Sequence, residues 1–473
     1  MLKEETFRAK GAAMELSLQK AIEIAMEKNP QMQVSQSSLR ENMANLDLTQ
    51  SNYRSKWTLT GQGKEYLSAK RDNLMRSNNT ELFQLGPEYK QNFQNGSNLT
   101  VSPHYEYDRS ALRGFNTSLT NPLGDRDDHK FNVDASYNFP LNSRPRQEIR
   151  TQLENAKLAG IQSDYNLYMR KKAISEQVID NYWRIKQLQE NVAIQNERLL
   201  QARRIEFIIQ TQYQYDQASR VQVGQAQVDV LNNEASIISI EGGLRNSIET
   251  FNLILGLPVV TQLNLSDNLE VTPLPMSADA YIALITSSNL ELKSFRISIQ
   301  QTENTLKAAR LGQQPDLIWS NSVYRDDMGV QDIVTALSFS WAFGDGGATR
   351  ARVRALKEQL EQIRINLWDR ERTLVQDTYS DLRALQLELQ RMEILKRNVD
   401  QAYTNLDNAL FNFQQFGRIT LRDMQYFQID LSTSRSSLAQ SKVQYNISKS
   451  SLLQKVHDYE PSEVVKPLLN LLD

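Results

Sequence analysis

The sequence predicts an α+β protein in which long antiparallel coiled-coil helices alternate with blocks of amphipathic strands, repeated twice along the chain. Three observations predict this fold class: long proline-free tracts, a seven-residue apolar repeat within them, and strict apolar–polar alternation outside them. Proline ends helices because it lacks an amide donor and clashes with the preceding turn. The proline-free tracts lie between Pro145 and Pro258 and between Pro315 and Pro461, so long helices are expected there.

Apolar residues within both tracts recur every three and four residues, the spacing of a left-handed coiled coil. The clearest series comprises Leu382, Leu385, Leu389, Met392, Val399, Tyr403, Leu406, Leu410 and Phe413. Each tract is interrupted once by polar residues, at 215–219 and at 416–420, which predict chain reversals. Two helices of about 100 Å, at ~1.5 Å per residue, would precede the reversals and two shorter ones would follow. The predicted helices are 146–215, 219–255, 347–416 and 420–458.

An internal duplication divides the chain. Residues 16–59 resemble 276–319 at a fixed offset of 260, as in the pair Asn29 and Asn289, although Leu290 in place of Pro30 weakens the predicted kink. The first repeat, 1–275, is predicted to contain helices 17–56, a β insert 57–145, a helical hairpin 146–255 and a linker 256–275. The second repeat, 276–473, is predicted to contain helices 277–311, a β insert 312–345, a helical hairpin 347–458 and a C-terminal tail 459–473.

The two inserts alternate apolar and polar residues along several runs. The runs contain Phe131, Val133, Ala135, Tyr137 and Phe139; Ile333, Thr335, Leu337, Phe339 and Trp341; and two series starting at Phe83 and Leu99 on either side of an Asn95-Gly96 turn. Shorter candidates begin at Trp57 and Leu317. Period two with apolar faces is typical of a half-buried sheet or of lipid-facing barrel strands.

The number of strands limits how they could enter a membrane. Roughly four to six strands cannot close a barrel, because about eight are the practical minimum. An open sheet edge is not tolerated in lipid, where unpaired backbone groups find no water. Strands that entered a membrane would therefore have to share one barrel among several copies, which predicts an obligate oligomer.

Composition excludes several classes of protein and site. The net charge is −2, from 54 basic and 56 acidic residues, whereas a nucleic-acid binder needs a basic face. The chain has no cysteine and three histidines, which excludes disulfides, thiolate chemistry and a histidine-rich metal site. No apolar run approaches the ~18 residues of a spanning helix, and the first residues lack the apolar core of an export signal, which we expect to be absent or removed.

Several short motifs, in this order and spacing, resemble the TolC-like outer-membrane efflux protein family over nearly the whole chain. Besides the duplicated halves, the motifs are Ala21 to Asn29-Pro30 with its second copy Ser288-Asn289-Leu290, Leu255-Gly256-Leu257-Pro258, Pro315-Asp316-Leu317, Phe343-Gly344-Asp345-Gly346-Gly347, and Gly417 to Asp423. Each motif alone is weak. The glycines at 344–347 are otherwise interpreted as a tight strand-to-helix turn, since they lack the lysine of a phosphate loop.

The resemblance implies an α+β membrane protein in which a coiled-coil tunnel continues into a transmembrane β-barrel shared by a homotrimer, with twelve strands, four from each copy. It implies an exit duct in the bacterial outer membrane, with the tunnel in the periplasm. The implied partners are outer-membrane lipid, a periplasmic adaptor protein and an inner-membrane pump; the implied systems are tripartite efflux or type I secretion.

The sequence departs from the family pattern in three places. A surplus hairpin, 83–107, leaves open how many strands join the barrel. At the first reversal, Asp216 stands in the glycine position and Gln222 in the aspartate position. No amino-terminal cysteine is present for the lipid anchor of some relatives.

The resemblance assigns an iris-like periplasmic gate to the helix tips, where Asp423 matches the family's tip aspartate. Three copies of Asp423 converging on one pore would favour cations and raise the pKa of each carboxyl group. The alternative interpretation is that Asp423 is an exposed carboxylate in the first turn of a helix, stabilised by the helix dipole. The gate residues are Asp423, Arg418, Arg422, Tyr426, Tyr213, Tyr215, Asp216 and Arg220. The expected adaptor-docking residues are Gly417, Thr420, Ser219 and Val223.

The expected lipid-facing strand residues are Phe131, Val133, Tyr137, Phe139, Leu337, Phe339 and Trp341. No nucleophile–base–orienter set can be assembled from the spacing, so neither an enzyme nor a cofactor or metal site is predicted. The alternative hypothesis is a soluble coiled-coil scaffold with a small β domain. That scaffold would have no reason to place these aromatic residues on one exposed face.

Overall fold

The computed structural model describes residues 14–70, 76–114, 126–274, 278–326, 329–341, 344–416, 419–456, 458–463 and 465–469. Its helices are α1 Leu18–Lys28, α2 Pro30–Ser51, α3 Arg144–Gln214, α4 Arg220–Leu255, α5 Ala278–Ser288, α6 Leu290–Leu311, α7 Ala348–Phe416, α8 Leu421–Lys455 and α9 Lys466–Leu469. Its strands are β1 Met14–Leu16, β2 Lys56–Lys70, β3 Arg76–Asn92, β4 Asn98–Gly114, β5 Arg126–Pro140, β6 Leu263–Leu265, β7 Asp316–Asp326 and β8 Gly329–Ser340.

The four long helices predicted from the proline-free tracts are confirmed to within a few residues. Helices α3 and α7 have 71 and 69 residues, and α4 and α8 have 36 and 35. Among the described residues, no helix combines the length and the apolar character needed to cross a membrane.

The chain divides into two compact units. Unit 1 comprises Met1–Leu39, Ser163–Ser294 and Leu367–Lys466, and unit 2 comprises Arg40–Gln162, Phe295–Asn366 and Pro467–Asp473.

Two asparagines in unit 1 begin helices in the same way. Asn29 accepts hydrogen bonds on Oδ1 from the N–H groups of Gln31 and Met32, at 2.8 and 3.3 Å. Asn289 accepts from Glu291 and Leu292, at 3.0 and 3.2 Å. These bonds satisfy amides that a helix start leaves without partners. The chain therefore breaks at Asn289 as it does at Asn29, although only the first break carries a proline.

A small parallel sheet in unit 1 was not predicted. Strand β1 pairs with β6, with Leu16 opposite Leu265. The buried Tyr182 of α3 donates its hydroxyl hydrogen towards Leu16 O at 3.1 Å and Asp267 Oδ2 at 2.9 Å. Three-residue strands give almost no periodic signal, which is why the sequence did not indicate them.

Unit 2 contains a six-stranded antiparallel sheet in the order β2-β3-β4-β5-β7-β8. The order follows the chain, and β2 and β8 are the edge strands. Every neighbouring pair is antiparallel, from Lys56 opposite Lys90 in the first pair to Leu317 opposite Phe339 in the last. This differs from the four strands per copy that the family resemblance implies, because the surplus hairpin is part of the sheet as β3 and β4.

The turn predicted for the glycine-rich segment at the start of α7 is confirmed in its described part. Gly346 and Gly347 have φ angles of 63° and 86°, in the left-handed region that glycine adopts without strain. Asp345 accepts hydrogen bonds from the N–H groups of Gly347 and Thr349, at 2.9 and 2.8 Å. The segment ends a loop and starts a helix.

Candidate functional site at the helix tips and the sheet face

Both helical hairpins of unit 1 turn into a return helix through a capping box. At the first tip, Gln222 N–H donates to Ser219 Oγ at 3.3 Å, and Ser219 N–H donates to Gln222 Oε1 at 2.7 Å. At the second tip, Asp423 N–H donates to Thr420 Oγ1 at 3.2 Å, and Thr420 N–H donates to Asp423 Oδ2 at 3.1 Å. The two tips thus share one local geometry. The third helical position is a neutral amide, Gln222, at the first tip and a carboxylate, Asp423, at the second.

Asp423 is exposed, and its surroundings favour the charged form. Hydrogen bonds from Thr420 lower the pKa of Asp423, and the nearby Arg422 charge lowers it further. The expectation of a raised pKa concerned several converging copies; within one chain the hydrogen bonds act in the opposite direction. The carboxylate is held ionised and fixed at the start of α8.

Asp216 ends the turn of the first tip in an uncommon backbone conformation. Its φ is 58°, and the N–H groups of Asp216 and Gln217 donate to Tyr213 O at 3.1 Å and Gln212 O at 2.8 Å. Glycine is the usual residue at such a helix end, and aspartate is among the few others that tolerate it. The structure thus explains why Asp216 can stand in the glycine position of the family pattern.

The tips enclose an apolar cluster built from both hairpins. Its buried members are Ile205, Ile209, Ala226, Ala402, Leu406, Ala409, Phe413, Leu421, Met424 and Leu431. Val223, an expected docking residue, is partly buried and packs against this cluster. The two tips are therefore held together by packing rather than by surface charge.

The aromatic and basic residues assigned to the gate are at the surface. Tyr213, Tyr215 and Tyr426 are 47%, 73% and 65% exposed. In the part of the chain that the structure describes, neither Arg220 nor Arg422 forms an ion pair. Gly417 and Arg418, which the sequence also assigned to this region, lie outside the described residues. The exposed rings and cations are available to another chain.

Sequence reasoning missed a group of polar contacts along the helices of unit 1. Buried Gln195 donates from Nε2 to Oδ1 of buried Asn233 at 2.9 Å, which joins α3 to α4. Arg435 and Glu197 form an ion pair between α8 and α3, and Ser436 Oγ donates to Asn191 Oδ1 at 2.9 Å. The one visible signal is Asn233, a polar residue within a series of apolar residues spaced three and four apart, namely Val223, Ala226, Val230, Ile237 and Ile240.

The sheet of unit 2 has one mainly apolar and one mainly polar face. Residues directly opposite each other in antiparallel strands share a face, so the register places Leu85 with Tyr105 and Phe131, and Trp319 with Phe139 and Leu337. Of the expected lipid-facing residues, Phe131, Leu337, Phe339 and Trp341 are 52–63% exposed, and Val133, Tyr137 and Phe139 are partly buried.

Polar side chains occupy the opposite face of the same sheet. Gln84 Nε2 on β3 donates to Glu106 Oε2 on β4 at 2.7 Å, and Asn132 Nδ2 on β5 donates to the same oxygen at 3.3 Å. Alternation that places mainly apolar residues on one face and mainly polar residues on the other is typical of transmembrane barrel strands.

No protein-family model matches this chain. No curated protein matches it either. Among the described residues, no group of three or more His, Cys, Asp or Glu side chains could hold a metal ion.

Solved structures of outer-membrane channels match nearly the whole chain. The Campylobacter jejuni CmeC outer membrane channel has a TM-score of 0.72 at 12% identity, over 96% of this chain and 88% of that one. The outer membrane protein VceC of Vibrio cholerae has a TM-score of 0.70 at 12% identity, over 93% and 95%. The open state of the Neisseria gonorrhoeae MtrE outer membrane channel has a TM-score of 0.68 at 12% identity, over 93% and 88%.

At this level of identity the likeness establishes the architecture. The family resemblance implied by the motifs of the sequence is confirmed in this respect by structures that cover both chains almost completely. The protein thus has the helix-rich α+β fold of the TolC-like outer-membrane channels.

Proposed function

We propose that the chain is one copy of a homotrimeric exit duct in the bacterial outer membrane, serving a tripartite efflux or type I secretion system. The duct conducts solutes passively, and an inner-membrane pump supplies the energy. The strands contact outer-membrane lipid, and the helices form a coiled-coil tunnel in the periplasm. The likeness of the fold to solved outer-membrane channels supports this proposal.

The observation that carries the proposal is the exposed apolar face of the six-stranded sheet. Leu337, Phe339 and Trp341 are each more than half exposed, and Trp57 and Leu59 at the other edge are 68% and 74% exposed. A sheet folded for water would cover such a face, because burying apolar area contributes roughly 25 cal/mol per Å². Hydrocarbon is the environment that this face fits.

The same environment requires further copies of the chain. Strands β2 and β8 are the edges of the sheet, and backbone groups left unpaired at an edge cost several kcal/mol each in lipid. Six strands are also fewer than the roughly eight that a closed barrel requires. Sharing one barrel among three copies satisfies both edges of every sheet.

The helix tips form the periplasmic gate and the adaptor-docking surface. Asp423, Arg422, Arg220 and the exposed rings of Tyr213, Tyr215 and Tyr426 present charge and hydrogen-bonding groups to neighbouring copies. In the trimer three ionised Asp423 side chains surround one opening and favour cations. Ser219, Thr420 and Val223, which are small, leave space for the helices of a periplasmic adaptor.

Mass measurement of the protein in detergent tests this proposal. A threefold protomer mass, together with ion-conducting steps in a planar lipid bilayer, is the expected result. A monomer that stays in solution without detergent and does not conduct would overturn the proposal and support the soluble scaffold instead.

A further inference from the structure

Building on the proposed function, we infer that the shared barrel has eighteen strands, six from each of three copies. The sheet of each copy contributes β2, β3, β4, β5, β7 and β8. Strand β8 of one copy pairs in an antiparallel manner with β2 of the next copy. The interaction surface is therefore the backbone of these two edge strands, and its partner is another copy of this chain.

The hairpin β3–β4 is a full part of the sheet. Strand β3 pairs with β2 along its length, from Lys56 opposite Lys90 to Lys70 opposite Arg76. Strand β4 pairs with β5 from Asn98 opposite Asn138 to Ser110 opposite Arg126. With 17 residues each, β3 and β4 exceed the ~9–11 residues that a transmembrane strand needs.

The hairpin also continues both faces of the sheet. Phe83 and Leu85 on β3 and Tyr105 on β4 are 46%, 44% and 42% exposed on the apolar face. On the other face Glu106 accepts hydrogen bonds from both β3 and β5. A hairpin that projected from the barrel into water would have no need of an apolar face in line with that of β5, or of polar contacts to β5 on the other face.

One glycine allows the two added strands to lie close together. A Cβ atom at Gly86 would lie 2.2 Å from Pro103 O and 2.5 Å from His104 Cα, far inside van der Waals contact. The backbone of β4 therefore occupies the space that any other residue at position 86 would need. This packing is consistent with a permanent pairing of β3 and β4.

The number of strands permits closure. Because six antiparallel strands alternate in direction, β2 and β8 run in opposite directions, and β8 can pair with β2 of the next copy in the antiparallel manner of the rest of the sheet. Barrel diameter grows roughly linearly with strand number, so an eighteen-stranded barrel is about 1.5 times as wide as a twelve-stranded one. Barrels of this size enclose a water-filled channel.

Disulfide trapping in the full chain, purified in detergent from outer membranes, tests the inference. The natural chain has no cysteine, so every crosslink comes from introduced pairs. His104→Cys with Asn132→Cys joins residues directly opposite on β4 and β5, and a crosslink within one copy is expected. The matched pair, Thr60→Cys with Asn132→Cys, lies three strand spacings apart, about 14 Å, beyond disulfide reach, and should not crosslink.

Pairing between copies is tested by Ser338→Cys combined in turn with Thr58→Cys, Thr60→Cys or Gln62→Cys. At least one combination should give a covalent trimer on a non-reducing gel, whereas each single variant should remain monomeric.

The outcomes separate this inference from the proposed function. A conducting trimer in which Thr60→Cys crosslinks to Asn132→Cys within one copy would show β2 beside β5, which overturns the eighteen-stranded barrel while leaving the duct intact. A conducting dimer, or covalent products no larger than two copies, would also overturn it. A soluble monomer that does not conduct would overturn both.

Discussion

Thr420 and Asp423 exchange hydrogen bonds across the first turn of α8. Besides the two bonds between backbone and side chain, Thr420 Oγ1 donates to Asp423 Oδ2 at 2.6 Å. Ser219 and Gln222 form the neutral counterpart at the start of α4, with Ser219 Oγ 3.1 Å from Gln222 Oε1. The chain therefore contains a natural template for removing the charge of Asp423 without removing the cap.

Asp423→Gln should change ion preference while keeping the capping box at the start of α8. Glutamine reproduces the capping box seen at Ser219 and Gln222, and the charge is lost. In a planar bilayer we expect a reduced preference for cations and weaker block by divalent cations, with a fall in the thermal midpoint at neutral pH that is smaller than in Thr420→Ala. Thr420→Ala is the matched variant: it keeps the carboxylate and loses the cap, at a cost of about 1 kcal/mol. An unchanged ion preference in Asp423→Gln would remove Asp423 from the gate.

The pH dependence of the second tip has a definite sign. Because the pKa of Asp423 is lowered in the folded chain, its contribution to stability is present above the unfolded value of about 3.9 and is lost as pH falls through the folded value. Asp423→Gln should therefore lose less stability than the natural chain between pH 5 and pH 2. If the stability of the two proteins fell equally between pH 5 and pH 2, the lowered pKa of Asp423 would be contradicted.

Asp216→Gly should be neutral or stabilising, because glycine adopts the φ of 58° without a steric penalty. Asp216→Val should be destabilising by about 1–2 kcal/mol, since a β-branched residue is poorly tolerated there. Asp216→Asn, which tolerates the same conformation, is the control. The measurement is the thermal midpoint in detergent, and a Val variant as stable as the Gly variant would contradict the observed turn.

Gly86→Ala should weaken the pairing of β3 with β4 and reduce the yield of folded, assembled protein. The added methyl group would lie 2.2 Å from a backbone oxygen, so the strands must separate. Gly63→Ala is the matched control on β2, where a Cβ would meet nothing within 4 Å. Size-exclusion chromatography in detergent measures the assembled fraction. Equal yields from the two variants would contradict the close approach of β3 and β4.

Tyr182→Phe should destabilise unit 1 by about 1–3 kcal/mol, because the backbone oxygen of Leu16 and the carboxylate of Asp267 lose the buried hydroxyl donor. Burial raises the pKa of Tyr182, so the neutral hydroxyl stabilises the fold below about pH 10 and less as pH rises further. The variant should lose less stability than the natural chain above pH 10. Tyr403→Phe, at a ring that is 65% exposed, is the control and should leave the melting temperature unchanged.

The long helices could be predicted because proline is absent over long stretches and apolar spacing is regular, and both signals are local. The sequence signal for the helix break at Asn289 was weaker than at Asn29, because the second copy has Leu290 at the position equivalent to Pro30. The structure starts α6 with hydrogen bonds from the Asn289 side chain instead. Asparagine is common at helix starts but also in loops, so its role was decided by the surrounding packing.

The strands could be recognised by their alternation of apolar and polar residues. Which strands pair with each other could not be predicted. Alternation at Phe83 and Leu99 predicted a hairpin and left open whether it joined the other strands. Membership of the sheet depends on pairing between residues distant in sequence, such as Val133 opposite Arg325. A period of two places a side chain on a face but does not select the partner strand.

The candidate tip was predictable in position rather than in detail. The sequence placed the two reversals at 215–219 and 416–420, and in the structure Ser219 and Thr420 cap the helices that follow them. The ionised state of Asp423 depends on hydrogen bonds from Thr420, and the strained φ of Asp216 depends on how α3 ends. Whether Asp423 also faces its counterparts in other copies is a property of an assembly, which the planar bilayer experiments test.

The pairing of β1 with β6 has a consequence for the order in which the chain folds. Leu16 pairs with Leu265, and Leu18 N–H donates to Asp267 Oδ2 at 2.7 Å across 249 positions of sequence. The amino-terminal strand therefore finds its partner only when a loop of about 250 residues has closed. Closing so long a loop is slow compared with forming a helical hairpin. We therefore expect helices α3 and α4 to form before β1 pairs with β6.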